Sequence, residues 1–267
     1  MEKKLKGIIL AAGEGKRLRP LTNDVPKAMV DFCGLTLLER QINTMRNCKV
    51  DDIIVVTGYK SDKINIPGID YVQNKKFNST NMLESLFCAE KKLEGDLIIS
   101  YADIIYEQTV LQQLSNSEEQ ITVVIDKKWQ SYWEKRFDDP LIDSESLKIN
   151  SRGNITDIGQ KVSNIANIQG QYIGLMKFNS VGVKILKDFY NKCKNKSKLG
   201  RNVLNPNIPF EKSYMTDLLQ GLIKSHIELK ALIINGGWLE FDSFDDYNLY
   251  QKMISENTLN QLINLDR

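Results

Sequence analysis

The chain has 267 residues, 42% hydrophobic and 26% charged, with 36 basic against 34 acidic side chains and a formal net charge of +2. That length accommodates one large α/β domain or two small ones, with enough chain for a substantial core. The charge balance removes the electrostatic case for a nucleic-acid or anionic-membrane binder, which goes with a strong basic excess. One histidine, His226, excludes any site built on two imidazoles and with it most zinc hydrolases. Four cysteines (Cys33, Cys48, Cys88, Cys193) are scattered without a C-x-x-C pair. No run approaches the roughly 18 apolar residues of a membrane span. The charged start, Met1 to Lys6, leads into a short apolar run and then a glycine loop, so it reads as the approach to a strand rather than a signal peptide. The resulting expectation is a cytoplasmic protein with reduced thiols and with neither a nucleic-acid nor a membrane partner.

Along the chain, Gly7 to Ala12 reads as a buried strand that ends in a glycine loop. Thr36 followed by Glu39 offers a capping box for a helix whose Leu38, Ile42 and Met45 share one face. Ile53 to Val56 is a second apolar strand, and Tyr71-Val72 opens a weaker one. The spacing of Leu83, Leu86, Phe87 and Glu90 predicts a helix over 81–93. Leu97-Ile98-Ile99 is a third buried strand, leading to Tyr101-Ala102-Asp103. Continuous rather than alternating apolar strands, separated by helices, argue for a parallel sheet covered on both faces. The second half is less regular. Ile121 to Ile125 is a strand, followed by a polar, aromatic-bearing stretch over 127–146 that contains Trp129, Tyr132, Trp133 and Arg136. Residues 147–158 read as a hairpin turning at Arg152-Gly153. Strands are expected at 172–178, 232–234 and 238–241, and helices at 181–194, 215–224 and from Ser243 onward. Neither a repeat nor a low-complexity linker is present. The expected organisation is a single domain over 1–267, divided into a 1–126 nucleotide half and a 127–267 acceptor half.

The informative stretch runs from Leu10 through Ala11-Ala12-Gly13-Glu14-Gly15-Lys16-Arg17 to Thr22, continuing to Pro26-Lys27. A strand that ends in a glycine loop puts backbone N–H groups at the carboxyl edge of a sheet, where open α/β folds bind ligands. Gly13 and Gly15 permit close approach and positive φ, as an anion-binding nest requires. Lys16, Arg17, Arg19 and Lys27 add four cations, an excess suited to a polyphosphate. The pattern G-x-x-x-x-G-K-[ST] is absent, so this is not a P-loop, and the third glycine of a dinucleotide site is missing. On these residues alone, a polar turn with solvated charges stands beside the phosphate reading.

The longer pattern L-A-A-G-x-G-x-R-L-x-P-L-T, ten specified positions followed by Pro26-Lys27, resembles the signature of nucleotidyltransferases that make NDP-sugars, CDP-choline and related activated alcohols. The resemblance implies a Rossmann-like three-layer α/β/α sandwich with a mostly parallel, mixed central sheet and an acceptor-binding second half. It implies attack of an acceptor phosphate or phosphonate oxygen on the α-phosphorus of an NTP, with Mg²⁺ as cofactor. By it, Leu10, Ala11, Ala12, Gly13, Glu14, Gly15, Lys16, Gly58 and Tyr101 contact the nucleotide. Arg17 takes the β- and γ-phosphates, and Lys27 bridges the α-phosphate and the acceptor. Asp103 and Asp242 hold the metal. Each aspartate also has a plainer reading as a helix cap, Asp242 for the helix that starts near Phe244.

For the acceptor, the second half resembles the branch that activates phosphocholine and phosphonates, which implies CTP as the nucleotide. Asn81, Arg136, Lys161 and Tyr172 are the acceptor candidates. Trp129, Tyr132 and Trp133 either cage a quaternary ammonium or pack a lid or core. Lys161 is either a phosphate anchor or a solvated lysine. A sugar-1-phosphate nucleotidyltransferase and a non-catalytic nucleotide-binding subunit are the rival readings. Against the latter, Arg17, Lys27, Asp103 and Asp242 are all retained. His226 is expected at a helix end, with no chemical role. The sequence sets no oligomeric state, and a dimer is compatible with it.

Overall fold

In the computed structural model, which describes residues 5–265, the strands in chain order are β1 (Leu5–Ala11), β2 (Asp31–Phe32), β3 (Leu35–Thr36), β4 (Asp52–Thr57), β5 (Asp70–Gln73), β6 (Asp96–Tyr101), β7 (Ile104–Tyr106), β8 (Ile121–Asp126), β9 (Glu145–Ile149), β10 (Ile155–Lys161), β11 (Gln171–Phe178), β12 (Lys230–Ile234) and β13 (Trp238–Glu240). The helices are α1 (Leu37–Asn47), α2 (Met82–Cys88), α3 (Gln108–Ser115), α4 (Trp129–Arg136), α5 (Ser180–Ser197), α6 (Met215–Lys224) and α7 (Phe244–Ser255).

Seven strands share one sheet in the order β12-β8-β11-β6-β1-β4-β5. β11 runs antiparallel to both its neighbours, and the other pairings are parallel. The apolar runs are continuous because alternate side chains bury on opposite faces. Ile9, Ala11, Ile53, Val55 and Ile98 face the core under α1, α3, α4 and α7. Ile8, Leu10, Ile54, Val56, Leu97 and Ile99 face the core under α2, α5 and α6. The architecture is therefore a three-layer α/β/α sandwich on a mixed, mostly parallel sheet.

Local signals act as their chemistry dictates. Thr36 and Glu39 close a reciprocal capping box at α1. The β9–β10 hairpin turns at Gly153, whose φ of +78° is the left-handed conformation such turns require. His226 lies just past the end of α6, with φ +61°. The four cysteines are free thiols, and none of the described helices is long and apolar enough to cross a membrane. The short β2, β3 and β7 and the helix α3 stand where no element was expected, and two expected stretches take a different form. The helix predicted over 81–93 is α2 up to Cys88 and then a 3-10 turn over Glu90–Lys92. This tightening lets the chain reverse in the few residues available before β6. The aromatic stretch after β8 contains α4, which puts Trp129, Tyr132, Trp133 and Arg136 on one face at i, i+3, i+4 and i+7.

Candidate active site

The carboxyl ends of β1 and β6 are adjacent in register, Leu10 beside Tyr101, and the glycine loop leaves the sheet there. Several of the loop's motif positions serve its shape. Leu18 has no exposed surface and pins the loop into the core. The Thr22 hydroxyl donates to the Gly15 carbonyl at 2.8 Å. Gly15 has φ +69°, and a Cβ there would lie 2.8 Å from Lys27 Cβ, so a side chain would displace the lysine. Pro26 precedes a 3-10 turn over Lys27–Met29, closed by the Met29 N–H donating to the Pro26 carbonyl at 2.8 Å. That turn aims Lys27 back under the loop.

The two aspartates meet through strand pairing. β13 pairs antiparallel with β7, and the Phe241 N–H donates to the Asp103 carbonyl at 2.8 Å. Both carboxylates then converge on Lys27, with Nζ 2.7 Å from Asp103 Oδ2 and 2.8 Å from Asp242 Oδ1. Arg17 pairs with the other oxygen of Asp242. Burial alone would favour the neutral amine, but Asp103 and Asp242 outweigh it and hold the Lys27 ammonium above its ordinary pKa. Burial likewise opposes the Asp242 charge, and Lys27 and Arg17 outweigh it, lowering the carboxyl pKa. Neither aspartate caps a helix: Ser243 caps α7, and Glu107 precedes α3. Asp103 Oδ1 is buried with no hydrogen-bond partner among the described residues, an arrangement that is costly unless a ligand supplies the missing contact.

The cleft beside this cluster is lined by Leu10, Ala11, Ala12, Gly13 and Tyr101 together with Phe77, Thr80 and Asn81. Asn81 also caps α2, and its amide donates to the Lys212 carbonyl at 3.3 Å. The Tyr172 ring packs edge-on against Tyr101 at 5.8 Å between centroids. Gly58 sits behind the loop, where a Cβ would fall 2.6 Å from the Ala12 carbonyl oxygen. Lys161 is exposed at the end of β10, across from Glu145. Glu14 pairs with Arg19 at 2.5 Å and with Lys16 at 3.5 Å. The four cations of the loop are thus largely matched by Glu14, Asp103 and Asp242. The expected local excess is a property of the sequence stretch and not of the folded site.

The packing corrects the acceptor expectation for Arg136 and decides between the two readings of the aromatics in favour of the core. The Arg136 side chain has no exposed surface and is held by Glu240 and Asp246, so it cannot touch an acceptor. Trp129, Tyr132 and Trp133 are each 3% exposed. Tyr132 and Trp133 do cover a cation, but it is the chain's own Arg136, whose guanidinium lies 5.4 and 5.0 Å from the two rings. Sequence reasoning also missed Gln41. Its buried amide donates to the carbonyls of Tyr101 (2.9 Å) and Ile104 (2.6 Å), on either side of Asp103, and its oxygen accepts from the Ser100 hydroxyl at 2.8 Å. The available signal was a polar residue on the otherwise apolar face of α1.

Residues 7–146 match the MobA-like NTP transferase domain. The chain is 39% identical over 253 residues to the CTP:phosphoglutamine cytidylyltransferase of Campylobacter jejuni, covering 91% of this chain and 97% of that one. It is 32% identical over 117 residues to the choline-phosphate cytidylyltransferase of Streptococcus pneumoniae, covering 42% of this chain and 51% of that one. Among solved structures, the CTP:phosphocholine cytidylyltransferase of Streptococcus pneumoniae shares the fold with a TM-score of 0.74 at 22% identity, over 94% of this chain and 99% of that one.

Proposed function

The chain belongs to the MobA-like NTP transferase family and is a nucleotidyltransferase, and from that premise we propose that it transfers CMP from CTP to a small phosphorylated acceptor with release of pyrophosphate. Phosphoglutamine, the compound named for the relative that aligns along nearly the whole chain, is the first acceptor to test. The observation that carries the reading is Lys27, clasped by Asp103 and Asp242 at the mouth of a cleft lined by the glycine loop.

The reaction forms one bond, from an acceptor phosphate oxygen to the α-phosphorus. It breaks the bridging bond to the β-phosphate, whose electron pair leaves with pyrophosphate. A phosphoryl or phosphonyl group carries at least one ionised oxygen at neutral pH, so the nucleophile arrives charged and no general base is needed. The work left to the protein is alignment and charge neutralisation. Lys27 stays protonated because Asp103 and Asp242 outweigh the cost of burying its charge, and it serves the acceptor phosphate and the α-phosphate together. Arg17, whose side chain is 65% exposed, is free to turn from Asp242 to the β- and γ-phosphates. The backbone of Leu10 to Gly13 lies along the cleft, where it can read the base. Asp103 and Asp242 suit Mg²⁺, which takes one or two carboxylates together with substrate phosphate oxygens, and the orphaned Asp103 Oδ1 supplies a free ligand atom. Mg²⁺ bound there would neutralise triphosphate charge.

The test is pyrophosphate release measured with each of the four NTPs against phosphoglutamine, choline phosphate, aminoethylphosphonate and hexose 1-phosphates. The expected result is turnover with CTP and a small phospho-acceptor, dependent on Mg²⁺. Turnover confined to hexose 1-phosphates would overturn the acceptor assignment. No release with any pair would overturn catalysis itself.

A further inference from the structure

Arg136 takes no part in the reaction as described, yet its charge is fully buried, which is costly unless each donor is matched. Three of its five N–H groups are matched, on both sides of a single turn, the one that carries Asp242. Nη1 donates to Glu240 Oε2 at 2.6 Å, Nε to Asp246 Oδ1 at 2.8 Å and Nη2 to Asp246 Oδ2 at 3.1 Å. Asp246 Oδ2 also accepts the backbone N–H groups of Asp242 (3.1 Å) and Ser243 (2.9 Å). On the other flank, the Glu240 N–H donates to the Tyr132 hydroxyl at 2.9 Å, and the Tyr250 hydroxyl donates to the Glu240 carbonyl at 2.8 Å. Phe241 donates to the Asp103 carbonyl. Every backbone N–H from Glu240 to Ser243 therefore has a fixed acceptor. Glu240, Asp242 and Asp246 crowd this stretch together with the exposed Asp245, and of the first three Glu240 and Asp246 pair with the same guanidinium.

We propose that Arg136 is a positioning residue for Asp242: by holding Asp246 and Glu240 from the interior, it fixes the turn after β13 and leaves Asp242 as the one carboxylate of the three aimed at Lys27 and the cleft. Without that guanidinium, Asp246 and Glu240 lose the partner that holds them from the interior, and the Asp242 N–H is left on a carboxylate fixed only by the Ser243 capping box. The inference rests on the reading of Asp242 as a metal ligand.

The test uses the full chain, with Arg136→Lys, Asp246→Asn and the control Asp242→Asn. Amide hydrogen exchange of the metal-free chain reads the turn directly. Mn²⁺ titration followed by electron paramagnetic resonance, with a non-hydrolysable CTP analogue present, reads the ligand. In Arg136→Lys, exchange at Asp242 and Ser243 should be about 10-fold faster, and Mn²⁺ affinity at least about 10-fold weaker. Analogue binding without metal should stay at the wild-type level. Wild-type exchange, or fast exchange with wild-type Mn²⁺ affinity, would overturn the proposal. If Arg136→Lys does not fold, Asp246→Asn decides by the same readouts, since its amide oxygen can still accept the two N–H groups while an NH2 replaces the oxygen that accepts from Arg136 Nε, which removes the hold of the guanidinium on the turn. Mn²⁺ affinity that falls in Asp242→Asn but not in Arg136→Lys overturns the positioning role alone. Unchanged affinity in Asp242→Asn removes the metal reading and the proposal with it.

Discussion

Replacing Lys27 with Met removes the cation shared by two carboxylates while keeping most of the side-chain volume. Nζ lies 2.7 and 2.8 Å from the two carboxylate oxygens, and all three side chains are under a fifth exposed. At an effective dielectric of about 20, each such contact is worth roughly 6 kcal/mol of gross attraction. Desolvation offsets much of this, and breaking a buried pair by removing one partner costs about 3–5 kcal/mol net. With an unfolding entropy of about 2.1 cal/mol/K per residue, that loss lowers Tm by roughly 5–9 °C for a chain of this length. The pH dependence has a definite sign. Asp242 has a lowered pKa in the folded chain, so the pair contributes stability above the unfolded carboxylate pKa and loses it as pH falls through the folded value. The deficit of Lys27→Met should therefore be largest at neutral pH and narrow toward acid, where its uncompensated carboxylates take up protons. On catalysis, loss of a charged donor at the reacting phosphates should cost about 2.7–4 kcal/mol, or 10²–10³ in kcat. Thermal melts between pH 4 and 8 and pyrophosphate release at saturating CTP measure both effects. A variant that keeps kcat within about ten-fold of wild type, or whose deficit grows as pH falls, would refute the reasoning.

Asp103→Asn and Asp242→Asn should each cut kcat by at least about 10² and abolish saturation by Mg²⁺; a normal Mg²⁺ titration of pyrophosphate release in either variant counts against the metal assignment. Burial, then Asp143 and Asp217, push the Glu145 carboxyl up from 4.5 to about 7. The folded chain thus holds more protons than the unfolded one across that window, and stability falls as pH rises through it. The side chain keeps solvent contact, which screens the effect, and Glu145→Gln should flatten the decline of Tm between pH 5 and 7; an unchanged slope excludes Glu145 as its source. Gln41→Leu strands the Tyr101 and Ile104 carbonyls and should cost about 1–3 kcal/mol in urea unfolding, with a fall in kcat as the Asp103 turn loosens. Trp133→Leu should destabilise by a few kcal/mol as a core truncation while acceptor KM stays at the wild-type value; a raised acceptor KM without loss of stability would restore the aromatic-cage reading.

The strands that frame the cleft were readable because β1, β4 and β6 carry unbroken apolar runs, and such runs bury on both faces wherever the chain folds. The capping box at Thr36 and the turn at Gly153 were readable because each acts over three or four residues. The glycine loop announced itself through Gly13, Gly15, Arg17 and Lys27. Arg136 and the aromatics before it were not readable in this way. Whether an arginine beside two tryptophans faces a ligand or a buried carboxylate depends on Glu240 and Asp246, more than a hundred positions later. The same holds for Gln41, whose partners are carbonyls about sixty positions away. The sequence by itself determined the sheet, the loop and the inventory of charges at its edge. Only the tertiary structure decided how those charges combine, through the β7–β13 pairing that sets Asp103 beside Asp242 and closes both on Lys27. Propensity and burial act on neighbouring residues, whereas the energy of an ion depends on distances in space, which the strand pairing sets.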